Sequence, residues 1–248
     1  MSEVKTASAP FCKACHHPLD AAKAAGCKDG FDLLVCPQCG TVTISPFPTH
    51  EDLIKFYQDY KDKADYRAKQ DKKIRRSLRR IKRMIRLTSG NRFLDVGCNY
   101  GFAVMAALRL GLDARGIDID GAAIENNKKV IGGYLFSATS VEEYAAQGHK
   151  VDMLYTSEVI EHVPNPDAFV KSLSTLLAPG GILYLTTPDA GHFAVPRRLE
   201  TWKEIMPPEH ITYFTRRGLT HLFEKHGLKV RKFFFCLKPS LRVLAEKI

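Results

Sequence analysis

From Asn91 onward, short apolar runs alternate with stretches in which apolar residues recur at helical spacing. FLDV comes first, then a helix from about Gly101 that turns Val104, Met105, Ala107 and Leu108 inward, then ARGID and a helix over Ala122 to Val130. GYLFS, a helix near Val141 to Ala146, the strand VDMLYTS, a helix from Pro166 to Leu177 and the strand ILYLTT after a Pro179-Gly180-Gly181 turn continue the pattern. Alternation of this kind predicts an α/β fold, a doubly wound and mostly parallel sheet with helices on both faces. Ligands of such sheets sit at the carboxyl ends of the strands. Toward the end, Thr215 caps a helix through Leu222 that stops near Gly227, and LKVRKFFF reads as a sixth strand. LRVLAEKI reads as helical, so no seventh strand is expected.

Upstream, the chain turns helical from Glu51, and Ile74, Leu78, Ile81 and Ile85 mark one apolar stripe. Lys72, Lys73, Arg75, Arg76, Arg79, Arg80, Lys82 and Arg83 crowd the remaining face, which is expected to lie in water. Charge sharpens this picture. The formal net charge is +10, and residues 61–86 hold 13 Lys or Arg against 3 Asp, while the remaining basic and acidic residues cancel. A basic amphipathic helix can pack on its own domain, rest on an anionic membrane or contact phosphate-rich ligands. Nucleic acid is not expected, because no aromatic interleaving accompanies the charge. With 45% hydrophobic and 26% charged residues the composition is that of an ordinary globular protein. MSEVKTASAPFCK lacks the apolar core of a secretory signal, which points to the cytoplasm.

The candidate chemistry starts at FLDVGCNYGF, Phe93 to Phe102. Asp95 ends a strand, Gly97 and Gly101 permit backbone approach without a Cβ, and Asn99 between them tolerates a left-handed conformation. The spacing is not the GxGxxG of a pyrophosphate site. LDARGIDID then ends a second strand at Asp118, with Ile119 and Asp120 beyond it. An acid there, about 20 residues past a glycine turn, is where α/β folds hold the two hydroxyls of a ribose.

LDVGCNYG, GIDID and SEVIEHVPNP in this order resemble the class I S-adenosylmethionine-dependent methyltransferases over roughly residues 90 to 235. VEEYAAQGHKVDMLYTSEVIEHVPNPDAFV is most similar to the ubiquinone-type O-methyltransferases and the small-molecule methyltransferases around them. The resemblance implies that Asp118 holds the ribose of S-adenosylmethionine, and that Asp95, Gly97, Asn99 and Gly101 shape its methionine end. It puts the adenine near Phe136, Ala138, Thr139 and Ser140, beside Ile119. Glu158 lies at the fourth strand's mouth. Glu158, Glu161 and His162 fall within five residues. In the ubiquinone-type enzymes the matching pattern goes with a divalent cation, which implies Mg2+ here.

His162 is the first candidate for a general base that takes a proton from an acceptor hydroxyl. The second is His210, in PDAGHFAVPRRLETWKEIMPPEHITYFTRRGL, a long insertion with Trp202, Tyr213 and Phe214 that is a candidate acceptor lid. Cys12 and Cys15 form one CxxC, and Cys36 and Cys39 a second after 20 intervening residues, a set that suits tetrahedral structural Zn2+. Cys98 and Cys236, flanked by apolar or small residues, are expected to be buried. The chain then divides into a zinc knuckle (1–48), a basic helical segment (49–89) and an S-adenosylmethionine-binding domain (90–248). The expected activity is methyl transfer to a hydroxyl of a small-molecule, sugar or lipid-linked acceptor. The alternatives are a methyltransferase for RNA or protein that docks through helix and knuckle, and a catalytically silent cofactor-binding module.

Overall fold

A computed structural model describes residues 11–19, 24–48 and 70–248. The helix expected from Glu51 to residue 69 lies outside the described residues. Two sheets organise the described residues. The larger has the order β10-β11-β8-β7-β4-β5-β6. Its parallel part comprises β4 (Arg92–Val96), β5 (Asp113–Asp118), β6 (Phe136–Ala138), β7 (Val151–Ser157) and β8 (Leu177–Pro188). Antiparallel β10 (Leu228–Phe233) and β11 (Ser240–Lys247) complete one edge.

Among the described residues, three helices cover each face. α1 (Gln70–Ile85), α2 (Phe102–Leu108) and α3 (Gly121–Val130) send Ile74, Ile81, Met84, Val104, Ala107 and Ile124 into one core. α4 (Val141–Ala146), α5 (Pro166–Leu176) and α6 (Arg216–Lys225) bury Tyr144, Phe169, Leu173, Leu219 and Leu222 in the other. Local chemistry fixes where these helices begin. Asp120 accepts from two backbone amides at the start of α3, Ser140 and Glu143 close a capping box on α4, and Asn165 caps α5 ahead of Pro166. The expected cap at Thr215 is present on α6.

Three expectations need correction. Leu241 to Lys247 form a strand, not a helix, inserted between β10 and β8. Both its faces are covered, Leu241, Val243 and Ala245 on one side and Leu244 on the other, so the polar alternation that marks a half-buried strand is missing. Pro179-Gly180-Gly181 does not separate helix from strand, because β8 already begins at Leu177. Those residues are an excursion within it, where pairing steps from Val151 with Leu177 to Met153 with Ile182. Arg80, expected in water, is buried. It lies three residues after the buried Ser77 and four before the buried Met84, so it falls on the face of α1 that meets the sheet.

The smaller sheet has the order β1-β2-β3-β9, from β1 (Ala24–Lys28), β2 (Phe31–Val35), β3 (Val42–Ser45) and β9 (Thr212–Tyr213). Its last strand comes from the insertion after β8. Leu33, Val42 and Ile44 share a separate core with Trp202, Ile205, Ile211 and Tyr213. The strands of the knuckle and the insertion therefore form one packed unit, while Cys12, Cys36 and Cys39 join the core beneath α5 and α6. Among the described residues no helix is long and apolar enough to cross a membrane.

Candidate functional site

The turn after β4 is built on left-handed backbone, with φ of 72° at Gly97, 43° at Asn99 and 68° at Gly101. A Cβ at Gly97 would lie 2.4 Å from Val159 Cγ2, and one at Gly101 2.9 Å from Ile131 Cδ1, so side chains are excluded by space as well as by conformation. The turn is tied to the neighbouring strand: the amides of Gly97 and Cys98 donate to Ile117 O at 2.9 and 3.0 Å. Asp118 binds the turn itself. Its Oδ2 accepts from the Asn99 amide at 2.7 Å, and its Oδ1 accepts from the Asp120 amide at 2.9 Å. Each carboxylate oxygen has a second lone pair, so both can still accept a hydroxyl. Burial pushes the Asp118 carboxyl up, partly offset by these two amides. Asp95, beneath it, is raised well above the carboxylate range by burial and then by the charge of Asp118.

Around this pair, Ile119 exposes 77% of its surface beside Asp118, an apolar platform at the sheet's rim. Thr139 and Ser140 follow β6 as expected, but their hydroxyls serve α4: Thr139 Oγ1 donates to Glu143 Oε2, and Ser140 Oγ accepts from the Glu143 amide. Sequence reasoning missed Asn127, which is 1% exposed and whose Nδ2 donates to Asn99 O. A polar residue at an inward position of α3 was the only signal.

At the tip of β7, Glu158 takes a left-handed φ of 59° and accepts from Thr186 Oγ1 at 2.7 Å. Ligand atoms of Glu161, His162 and His210 lie within 4.8 Å of one another. Glu158 stands beside this group through its charge on Glu161, and His210 takes the third place that the sequence reading gave to Glu158. Backbone pairing delivers His210, since the amide of Ile211 donates to Glu161 O at 2.9 Å. His162 Nδ1 donates to Glu209 O and His210 Nδ1 to Glu204 O, both at 2.8 Å. Protonated Nδ1 leaves the lone pair of each ring on Nε2, the arrangement that orients metal-binding imidazoles.

Glu161 is fully buried; Thr187 donates to its Oε2 at 2.9 Å, and its Oε1 has no hydrogen-bond donor. Burial first and Glu158 second hold its carboxyl well above the usual range. Burial also draws His162 down to about 4, with His210 adding to the effect, so it is neutral and only weakly basic at pH 7. Two imidazoles with their Nδ1 atoms held by carbonyls and a buried carboxyl fit a divalent cation. Two nitrogens and one oxygen suit a transition-type ion better than oxygen-seeking Mg2+.

Cys12, Cys15, Cys36 and Cys39 converge with all four sulfurs within 4.8 Å of one another. Sγ–Sγ separations of 3.5 Å (Cys12 to Cys39) and 3.6 Å (Cys15 to Cys36) approach the roughly 3.8 Å edge of a tetrahedron with Zn–S bonds of about 2.3 Å. They are far too long for a disulfide. The set fits Zn2+. Cys98 and Cys236 are buried, as expected, and Cys27 is exposed and outside the cluster.

Comparison with known proteins bears on the family and the fold. Over 142 residues the chain is 32% identical to the ubiquinone biosynthesis O-methyltransferase of Brucella ovis, covering 55% of this chain and 54% of that protein. It is 28% identical over 162 residues to the mitochondrial ubiquinone biosynthesis O-methyltransferase of Arabidopsis thaliana, covering 56% of this chain and 49% of that one. The chain thus spans about half the length of the curated relatives it matches. Magnesium protoporphyrin IX methyltransferase from Synechocystis with bound S-adenosylhomocysteine has a similar fold, with a TM-score of 0.56 at 16% identity over 82% of this chain and 96% of that one. An S-adenosylmethionine-dependent methyltransferase from Mesorhizobium loti gives 0.54 at 15% identity over 64% and 91%. A family profile described as a methyltransferase domain matches residues 66–232. The fold is the Rossmann-like methyltransferase fold, and the chain belongs to the methyltransferase domain family.

Proposed function

We propose that the protein transfers the methyl group of S-adenosylmethionine to a hydroxyl of a small-molecule acceptor. The observation that carries this reading is Asp118, the last residue of β5, whose Oδ2 accepts from Asn99 in the glycine turn after β4 while its Oδ1 accepts from Asp120. That arrangement offers two hydroxyl acceptors beside bare backbone and the apolar side of Ile119, which suits a nucleoside. When bound, S-adenosylmethionine supplies the electrophilic methyl, so the chain's work is to align the acceptor and accommodate its proton. The curated relatives methylate oxygen in ubiquinone biosynthesis, and the small-molecule class of acceptor is carried over from them.

The roles at the β7 tip follow from their chemistry. His162, drawn down to about 4, is a poor proton acceptor but a ready ligand, so Glu161, His162 and His210 would hold a divalent cation. Such an ion would acidify an acceptor hydroxyl. The four cysteines would hold structural Zn2+ and leave it no open position.

Isothermal titration with S-adenosylhomocysteine tests the cofactor assignment, and saturable 1:1 binding is expected. A chain that binds no S-adenosylhomocysteine would refute it. Incubation with radiolabelled S-adenosylmethionine and a small-molecule extract of the source cell should yield a labelled product that is neither protein nor RNA.

A further inference from the structure

Arg80 and Arg83 of α1 and Arg242, near the start of antiparallel β11, gather by the carboxyl ends of β7 and β8 and have no role in methyl transfer as proposed. Ser157, Thr186 and Arg242 lie side by side across these strands, and residues directly opposite one another share a face of the sheet. One pleat below are Tyr155 and Tyr184, their rings stacked at 5.6 Å. From α1, Arg80 reaches over both rows. Its guanidinium lies 5.4 Å from the Tyr184 ring centre, and Nη1 donates to Tyr155 Oη at 2.6 Å and Ser157 Oγ at 3.3 Å. Arg83 stacks at 4.8 Å on Phe234, whose amide donates to Arg242 O at 2.8 Å.

Two polar atoms here lack partners. Tyr184 Oη and Arg242 Nε are both shut off from solvent, and neither has a hydrogen-bond partner. The charges of Arg80, Arg242 and Arg83 all reach the Tyr184 hydroxyl. Glu158 is a carboxylate whose charge reaches Arg80. Buried polar groups are normally satisfied, and an unsatisfied donor beside an excess of guanidinium charge marks a place for an anion.

Resting on the methyl-transfer reading, we infer that Arg80, Arg242 and Tyr184 form an anion subsite for the acceptor, so that the molecule methylated carries a carboxylate or a phosphate. Thr186 lies opposite Arg242 and bonds Glu158, which places the subsite next to the β7 tip. An acceptor anchored there by its anionic end has its hydroxyl directed toward Glu161, His162 and His210. A carboxylate is also present on the cofactor, as part of its methionine portion, and the experiment must separate the two sources.

Zinc-loaded full-length protein is titrated with inorganic phosphate, with benzoate, with S-adenosylhomocysteine and with methylthioadenosine, which has the nucleoside but no carboxylate. R242Q and Y184F are compared with the parent. Y184F removes one unpartnered hydroxyl and keeps the ring, so its folding is not at risk. The expected result is at least a tenfold loss of phosphate or benzoate affinity in both variants, with S-adenosylhomocysteine within twofold of the parent. Absence of saturable anion binding to the parent, or anion affinity unchanged in both variants, overturns the proposal. So does a tenfold loss of S-adenosylhomocysteine with methylthioadenosine unchanged, since the occupant is then the cofactor's own carboxylate. Anion binding that depends on Arg242 in a chain that takes up no S-adenosylhomocysteine would leave this subsite standing while the cofactor assignment fell.

Discussion

Asp95 and Asp118 are two acids on neighbouring strand tips, and their surroundings make opposite demands. Asp118 has amide donors for both oxygens, whereas Asp95 is buried with the charge of Asp118 as its chief electrostatic neighbour. Replacing Asp118 by Ala removes acceptors that a ribose would use, and charge-assisted hydrogen bonds are worth about 1.5–3 kcal/mol. S-adenosylhomocysteine affinity is expected to fall roughly 10- to 100-fold in calorimetry, with the far-ultraviolet circular dichroism unchanged. Asp95 gives a pH signature. Because its folded-state carboxyl is raised, stability is complete below the ordinary carboxylate range and is lost as pH climbs toward the raised value. Asp95→Asn is therefore expected to be more stable than the parent at pH 8 in thermal melts. The ammonium of a bound S-adenosylhomocysteine favours the ionised acid, so binding should release a proton and tighten with pH over the same window. Calorimetry in buffers of different ionisation heat measures that proton directly, and Asp95→Asn should abolish it.

Elements differ in how openly the sequence announces them. The glycine turn, the capped helices and the five parallel strands carry local signals, because each is set by backbone conformation, a cap or a run of apolar residues. β11 carries none, since a strand covered on both faces looks as apolar as a helix, and only its neighbours decide. Arg80 was hidden for a similar reason: a basic residue within a basic run gives no sign that tyrosines across the sheet will bury it. Gly218 shows the same dependence on packing. It lies in α6, where glycine is unfavourable by itself, but a Cβ would stand 2.1 Å from Thr41 Oγ1 and 3.4 Å from Cys39 Sγ. Thr215 Oγ1 donates to Cys39 O at 2.6 Å in the same contact, so α6 is seated against the cysteine knuckle. Gly218→Ala is expected to cost about 1–3 kcal/mol through overpacking, despite the gain in helix propensity. Thr41 Oγ1 is buried without a partner, so Thr41→Ala should recover most of that loss. Thermal melts of the two single variants and the double variant measure the coupling.

Across the whole molecule, the cysteine cluster and the β7 tip are linked by a short run of backbone. β3, which follows Cys36 and Cys39, pairs with β9 through Val42 with Tyr213 and Thr43 with Thr212. The Ile44 amide donates to Ile211 O at 3.3 Å, and the Ile211 amide donates to Glu161 O at 2.9 Å. His210 is the residue before that bridge, and its position beside Glu161 and His162 depends on it. No periodicity could reveal this, because the partners are brought together from three distant stretches of chain. Cys12, Cys36 and Cys39 share one core of the parallel sheet with α5 and α6, whereas the glycine turn, α2 and α3 beside Asp118 pack into the opposite core, which holds no residue of the knuckle. Removing zinc should therefore divide the protein's properties. With zinc stripped by a chelator, the small sheet loses its anchor and His210 leaves the cluster, while the nucleoside end of the site keeps its geometry. Hydrogen exchange should accelerate over residues 205–215 but not over β4 and β5, and methyl transfer should fall at least tenfold. S-adenosylhomocysteine should bind within about threefold of the zinc-loaded protein, a difference of under 1 kcal/mol. Equal exchange over 205–215 with and without zinc would show that the insertion holds His210 unaided, and a parallel loss of S-adenosylhomocysteine binding would show that the knuckle supports the entire fold.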